Sequence, residues 1–276
     1  MVKLEQTINC KNRNREIIMT SSYLFNSEGL VALARYVAPD TLFAFDLDGT
    51  LAPIVDDYAA VEISDPVRIA LERLVKLAKV VVITDRSRQD AIPILGVEPQ
   101  LLIGNHGAEW PLHAKGRNWQ HVGICLDWRD RLFGMIYDIP DVEIEFKGES
   151  LSLHYRNSID REYALARIDA AINELTPSPK RICGKYVVNI LPIDALTKGE
   201  ALAVAMEKFG VTRAIYFGDD ITDEEVFKLT NVDLFGVHIG KDDETAASYY
   251  LNKQIELLGL INSMIGMLEA HTDEEL

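Results

Sequence analysis

Two carboxylates one residue apart, Asp46 and Asp48, stand in the string FDLDGTLAPI that begins at Phe45. Side chains two apart on an extended chain project to the same side, so the pair can act on one substrate, and Gly49 permits the sharp exit that aims it. An acidic turn capping the next helix is the plainer alternative. A second acidic string, GDDITDEEVF from Gly218, carries Asp219, Asp220, Asp223 and Glu224. Thr222 followed by acids makes a helix N-terminus; capping accounts for Thr222, Asp223 and Glu224 but leaves Asp219 and Asp220 unexplained. Carboxylates that converge repel one another unless a hard cation joins them, and Mg²⁺ takes one or two carboxylates together with waters and phosphate oxygens. Mg²⁺ is therefore the expected cofactor. Thr84, followed by Asp85, Arg86 and Ser87, offers a hydroxyl and backbone N–H groups at a helix start, an arrangement suited to an anion. Lys198 opens the helix KGEALAV against the helix dipole, where a carboxylate or phosphate would compensate it. Taken singly, Thr84 and Lys198 read equally well as surface residues.

The elements that must position these groups alternate. A helix begins at Asn26 or Ser27 and ends before Pro39, followed by the apolar run TLFAFD (41–46) that ends on the first acidic string. A helix over 65–79, the run VVVIT (80–84), a short helix broken at Pro93 and the run LLIG (101–104) come next. Such alternation implies βαβ units and a parallel sheet, whose carboxyl ends are where ligands bind. From about residue 112 to 193 the pattern changes. VEIEFKG (142–148) and SLSLHYR (150–156) read as a hairpin turning near Gly148, followed by a helix REYALARIDAAINEL and a strand KYVVNIL (185–191). On the hairpin, Val142, Ile144 and Phe146 share one face, and Glu143, Glu145 and Lys147 the other; Leu151, Leu153 and Tyr155 alternate with Ser152, His154 and Arg156. The polar face is either a solvated sheet surface or a platform for sugar hydroxyls. The expected fold is thus an α/β parallel-sheet core, residues 26–111 and 194–276, with an inserted smaller α+β cap over 112–193. Residues 1–25 read as a flexible extension, with Met19 an alternative start, and HTDEEL as a frayed tail.

At 276 residues, with 48% hydrophobic and 26% charged residues, the chain has ordinary globular composition. No apolar run approaches the roughly 20 residues that span a bilayer, so no membrane partner is expected. The net charge of −15 disfavours nucleic acid, which needs clustered Lys and Arg. Three cysteines without metal-type spacing suit a reducing compartment, and with no secretory-type segment the expected home is cytoplasmic. No obligatory protein partner is evident.

DxDGT, a strand-terminal Thr, a helix-leading Lys and GDDxxxD, in that order, resemble the haloacid dehalogenase superfamily of phosphohydrolases. The resemblance implies that Asp46 attacks phosphorus, Asp48 protonates the leaving oxygen and later activates water, Thr84 and Lys198 bind the phosphoryl group, and Asp219 joins Asp46 and Asp48 at Mg²⁺. GNHGAEW from Gly104, EFKGESLSLHYR from Glu145, VVNILP from Val187, TKGEAL from Thr197, GDDITDE from Gly218 and VHIG from Val237 are further similar to the trehalose-6-phosphate phosphatase family. That similarity covers about residues 41–252. It implies that Glu145, Lys147 and Arg156 on the cap contact a disaccharide, that Arg86 and Asn189 help bind substrate, and that Asp220, Asp223, His106 and Glu109 support the site. Two positions depart from the family pattern. Asp85 stands where Gly is usual, and Asn189 where Glu is usual, which keeps a related glucoside phosphate such as glucosylglycerol phosphate as an alternative substrate. A catalytically silent sugar-phosphate sensor is the alternative outside enzymes; intact Asp46, Asp48, Lys198 and Asp219 speak against it.

Overall fold

The computed structural model describes residues 21–55, 61–184 and 186–274. The described chain forms two compact units, Gln120–Ile193 and the residues on either side of it.

The larger unit is built on a seven-stranded sheet. Its strands are β1 (Ser22–Tyr23), β2 (Thr41–Phe45), β3 (Lys79–Ile83), β4 (Leu101–Ile103), β9 (Arg213–Gly218), β10 (Asp233–Ile239) and β11 (Tyr249–Leu251). All pairings are parallel, in the order β1-β11-β10-β9-β2-β3-β4. Both faces are covered, so the strands read as continuous apolar runs rather than alternating ones. Phe43 and Phe45 of β2 belong to one apolar cluster with Leu71, Leu74 and Leu260; Leu42 and Ala44 belong to the opposite one with Leu202 and Met206. The helices that cover the faces are α1 (Ser27–Tyr36), α2 (Asp65–Leu77), α3 (Arg88–Leu95), α6 (Lys198–Phe209), α7 (Glu224–Phe227) and α8 (Glu256–Glu274). The chain leaves β2 toward β3 and β4 on one side, and returns through β9 to β10 and β11 on the other. The order therefore reverses between β2 and β9, and the carboxyl ends of that strand pair form the crevice where open α/β sheets take their ligands.

The smaller unit carries an antiparallel sheet, β5 (Glu143–Phe146), β6 (Leu151–His154), β8 (Val187–Leu191) and β7 (Lys180–Gly184) in that order, with α4 (Trp119–Ile136) and α5 (Arg161–Asn173). Leu151, Leu153, Val188 and Ile190 pack with Trp128, Leu132, Ile168 and Ile172 into a separate core. Leu153 is fully buried there. Leu153→Ala is expected to lower the opening free energy of this unit by about 2–5 kcal/mol through lost transfer energy and the cavity left behind. Hydrogen exchange across β5–β8 measures it; unchanged protection would contradict this packing.

Several boundaries differ from the sequence reading. The ordered chain begins before Asn26, because Ser22 and Tyr23 pair with β11 and Leu24 is fully buried; the rest of the expected extension, 1–20, lies outside the described residues. α3 runs through Pro93 to Leu95 and is closed by Gly96 at φ 60°. Proline forfeits the bond to the carbonyl of Gln89, an exposed residue whose oxygen water can reach. α8 continues past His271 to Glu274 rather than fraying at the acidic tail. The smaller unit starts at Gln120 and includes α4 and β7, neither of which the alternation reveals. Cys125 is a buried free thiol. Among the described residues no helix is long and apolar enough to cross a membrane.

Candidate active site

β2 ends on Asp46 and β9 ends just before Asp219, so the two acidic strings meet at the reversal point. Asp46 N–H donates to Phe217 O at 2.8 Å, stitching the two strand ends together. Gly49, at φ +83°, turns the chain back across Asp219; a Cβ there would stand 2.0 Å from Asp219 Oδ2, so the close approach demands glycine. Thr50 Oγ1 donates to Asp219 Oδ1 at 3.3 Å, and Gln254 Nε2 donates to the carbonyls of Thr50 and Leu51, tying the turn down.

Lys198 enters from the N-terminus of α6, where Thr197 and Glu200 form a capping box. Its side chain is 1% exposed. Nζ lies 2.9 Å from Asp46 Oδ1, 3.0 Å from Asp223 Oδ1 and 3.1 Å from Asp85 Oδ1. It donates hydrogen bonds to Asp46 and Asp223, and Asp85 completes the ring of charge as an ion pair. Burial works against the charged lysine, but Asp223, Asp46 and Asp85 overcome it and raise its pKa well above the usual value. Burial acts on Asp46 in the opposite sense: desolvation, with Asp223, Asp85 and Asp219 nearby, raises its carboxyl despite the lysine. Asp219 is raised as well, first by burial and then by Asp223 and Asp220.

Asp223 is not the helix cap that the local pattern of Thr followed by acids suggests. It is fully buried and makes no side-chain cap for the four-residue α7. Its Oδ1 accepts from Lys198 Nζ and, at 2.6 Å, from Tyr216 Oη; its Oδ2 accepts from the backbone N–H groups of Asp219 and Asp220 at 2.9 and 3.0 Å. Asp46, Asp219 and Asp223 each bring an oxygen within 4.8 Å of the others. With both oxygens of Asp223 already accepting two hydrogen bonds, the donors left for a cation come from Asp46 and Asp219, and Asp223 orients Lys198 and the Asp219 loop. Asp220 is exposed and takes part through its backbone.

Asp48 does not join that cluster with its carboxylate. Arg86, 3% exposed, donates from Nε to Oδ2 and from Nη2 to Oδ1, both at 2.7 Å, the bidentate fork that suits a carboxylate. Thr84 is fully buried at the end of β3, and its hydroxyl accepts from Arg86 N–H. This β3–α3 loop is held from behind by a tight turn at Asn105–Gly107. Asn105 and His106, both at positive φ, donate backbone N–H groups to Arg86 O and Thr84 O. Glu109 Oε2 accepts from Arg88 N–H and Asn105 Nδ2. His106 Nδ1 stands 2.8 Å from Asp85 Oδ1.

Of the residues predicted on the smaller unit, Glu145 and Lys147 come together, and Arg156 and Asn189 stand outside their group. Glu145 Oε2 lies 2.8 Å from His154 Nε2 and 3.5 Å from Lys147 Nζ. Burial resists its ionisation, yet the bond from His154 and the charge of Lys147 hold its carboxyl below the usual range. Asn189 is buried, its Oδ1 accepting from Ser152 Oγ at 2.6 Å and its Nδ2 donating to Ile182 O at 3.4 Å. Arg156 is exposed.

The family model described as trehalose-phosphatase matches residues 44–254. The chain belongs to the trehalose-phosphatase family. It is 32% identical over 193 residues to the trehalose-6-phosphate phosphatase of Escherichia coli (strain K12), covering 68% of this chain and 72% of that protein. Probable trehalose-phosphate phosphatase 2 of Oryza sativa subsp. japonica is 25% identical over 292 residues, covering 93% and 75%. Among solved structures, the C-terminal domain of C. albicans trehalose-6-phosphate phosphatase aligns with a TM-score of 0.67 at 22% identity, over 91% of this chain and 99% of that one, a likeness of fold. The protein is accordingly a phosphatase, with a parallel-sheet core and a second antiparallel sheet that fits a cap.

Three polar groups that the core site of this trehalose-phosphatase uses escape a reading of its sequence. Tyr216 reads as one more apolar strand residue, although a buried phenol needs a partner and so signals one. Thr50 reads as part of the turn, and Thr222, whose Oγ1 lies 3.4 Å from Asp85 Oδ2, as a helix cap.

Proposed function

We propose that this phosphatase hydrolyses trehalose 6-phosphate to trehalose and inorganic phosphate, with Mg²⁺, through an aspartyl-phosphate on Asp46. The observation that carries the reading is a buried carboxylate at the sheet's reversal point, 2.9 Å from a buried lysine, in a member of this family. Asp46 attacks phosphorus and the bond to the sugar oxygen breaks, with Asp48 delivering a proton to that oxygen. Asp48 then takes a proton from water, which attacks the phosphorus and releases phosphate while Asp46 is regenerated. The fork from Arg86 holds Asp48 as the carboxylate, the form that acts as the base; to carry the proton that it delivers to the sugar oxygen, Asp48 has to release one of its two bonds to Arg86. Thr84, at the end of β3, would bind a phosphoryl oxygen through its hydroxyl, and Lys198 would neutralise the charge.

Mg²⁺ fits the residues present, because Asp46 and Asp219 are carboxylates whose ionisation is opposed by burial and by the acids around them. These two would hold it, and the cation would offset the repulsion between carboxylate and phosphate. The cytoplasm remains the expected compartment.

On the cap, Lys147, Glu145 and His154 present a polar cluster for sugar hydroxyls, and the exposed Arg156 would add a cation for the same ligand. Asn189 favours a second reading: its amide is engaged within the sheet, leaving less of it for a second glucose ring, so glucosylglycerol phosphate is the competing substrate.

Phosphate release from both substrates and from glucose 6-phosphate, with Mg²⁺ and after chelation, tests the proposal. Trehalose 6-phosphate is expected to be turned over best, with activity lost on chelation and restored by Mg²⁺. Lys147→Ala is expected to raise its KM by about tenfold, the loss of one charged hydrogen bond, and to leave p-nitrophenyl phosphate hydrolysis unchanged. Turnover that survives chelation would sink the metal-dependent mechanism; a preference for glucosylglycerol phosphate would transfer the assignment to it.

A further inference from the structure

Three carboxylates share the ammonium of Lys198, and they are not equivalent. Asp46 and Asp223 are 5% and 0% exposed, whereas the Asp85 side chain is 34% exposed. Asp46 is the group that must stay beside Lys198 for nucleophilic attack, and Asp223 is anchored by Tyr216 and two backbone N–H groups. Only Asp85 can give way to an incoming anion. It has somewhere to retain its charge, since His106 Nδ1 lies 2.8 Å from the same Oδ1 and Thr222 Oγ1 lies 3.4 Å from Oδ2. It also follows Thr84 directly, in the loop read as the phosphate cradle. Burial opposes its ionisation, but His106 and Lys198 hold its carboxyl far below the usual range, so it is an anion.

We infer that Asp85 is the resting occupant of the oxyanion position on Lys198, a carboxylate that a phosphoryl oxygen displaces on binding and that returns as phosphate leaves. Asp85 thereby sets the affinity of the site for phosphate. The inference rests on the phosphatase reading and deepens it: the residue weakens the grip on both substrate and product through like-charge repulsion and competition for one donor, and it speeds release.

Calorimetric titration of inorganic phosphate into the full-length protein in Mg²⁺ tests this. Asp85→Asn keeps the shape and removes the charge, and is expected to bind phosphate about tenfold more tightly than wild type, a modest fraction of what like charges in contact cost. Its KM for the phosphate ester should fall in parallel, and kcat should fall as product release slows. Asp85→Glu retains the charge, and its phosphate Kd should stay near that of wild type. A gain in affinity is not produced by structural damage, so a weaker or unchanged Kd in Asp85→Asn would overturn the inference and make Asp85 a scaffold for Lys198. Wild type that neither binds phosphate nor hydrolyses an ester would overturn the phosphatase reading itself, and this inference with it.

Discussion

Asp46→Asn is expected to lower phosphate release by about four orders of magnitude or more, the scale on which losing a nucleophile removes the whole covalent route. The substitution is nearly isosteric. The amide oxygen can still accept from Lys198, and Asp46 N–H still bonds Phe217 O. It also removes a buried carboxylate whose ionisation burial opposes, so the folded variant should be at least as stable as wild type. Activity and stability should therefore separate. Steady-state phosphate release beside a urea unfolding curve reads both, and rapid-quench labelling with a phosphate ester should find no acid-stable phosphoryl group on the variant. Residual activity within tenfold of wild type would remove Asp46 as nucleophile, whatever the stability.

Lys198→Met has the second largest expected effect, and there activity and stability should fall together. The methionine fills much of the same volume but leaves Asp46, Asp223 and Asp85 without the cation they share. Breaking a buried ion pair from one side costs about 3–5 kcal/mol, because the remaining charge is buried without compensation. The loss depends on pH with a definite sign. A carboxyl whose folded pKa is raised, as burial raises Asp46, penalises the folded state where it is ionised. As pH falls through that raised value it becomes neutral, and the penalty shrinks. The gap in unfolding free energy between wild type and Lys198→Met should thus narrow on acidification. A pH-independent gap would mean that the lysine contributes by packing alone. kcat/KM should fall by about two to three orders of magnitude, the scale for removing one preorganised donor from a developing oxyanion.

The two variants probe residues that differ in how openly the chain declares them. Asp46, Asp48 and Asp219 stand out because each follows an apolar run, and a charge at the end of a buried strand has few structural uses. Thr84 is marked the same way. Lys198 is visible as a cation at the wrong end of a helix, and the compensation that position requires is supplied by three carboxylates. Asp223 misleads because the local pattern, Thr followed by acids, is sufficient for a helix cap; only the adjacent strand, bringing Tyr216 beneath it, shows a different use. Asp85 is legible as a departure from the family pattern, with its partners His106 and Thr222 hidden by distance along the chain. On the cap, alternation separates the polar face of β5 and β6 from the apolar one, but cannot show that Ser152 and Asn189 are bonded across strands. β1, with two residues, carries no periodic signal at all, and α4, following a change in polarity, has no pattern that sets it apart from its surroundings.

The inventory and its local aim are written along the chain: apolar runs that must be buried strands, acids at their carboxyl ends, a glycine where the chain turns back, and a parallel sheet from the alternation of runs and helices. Those are consequences of neighbours within a few residues, where backbone geometry and burial leave little choice. Which charges share which partner follows from the folded core. Asp48 meets Arg86, and Asp46, Asp85 and Asp223 meet Lys198, because the sheet order reverses between β2 and β9 and α6 delivers its first residue to that crevice. Residues that far apart in the chain are brought within 3.1 Å only by the packing of the whole core, and no spacing along the chain encodes that.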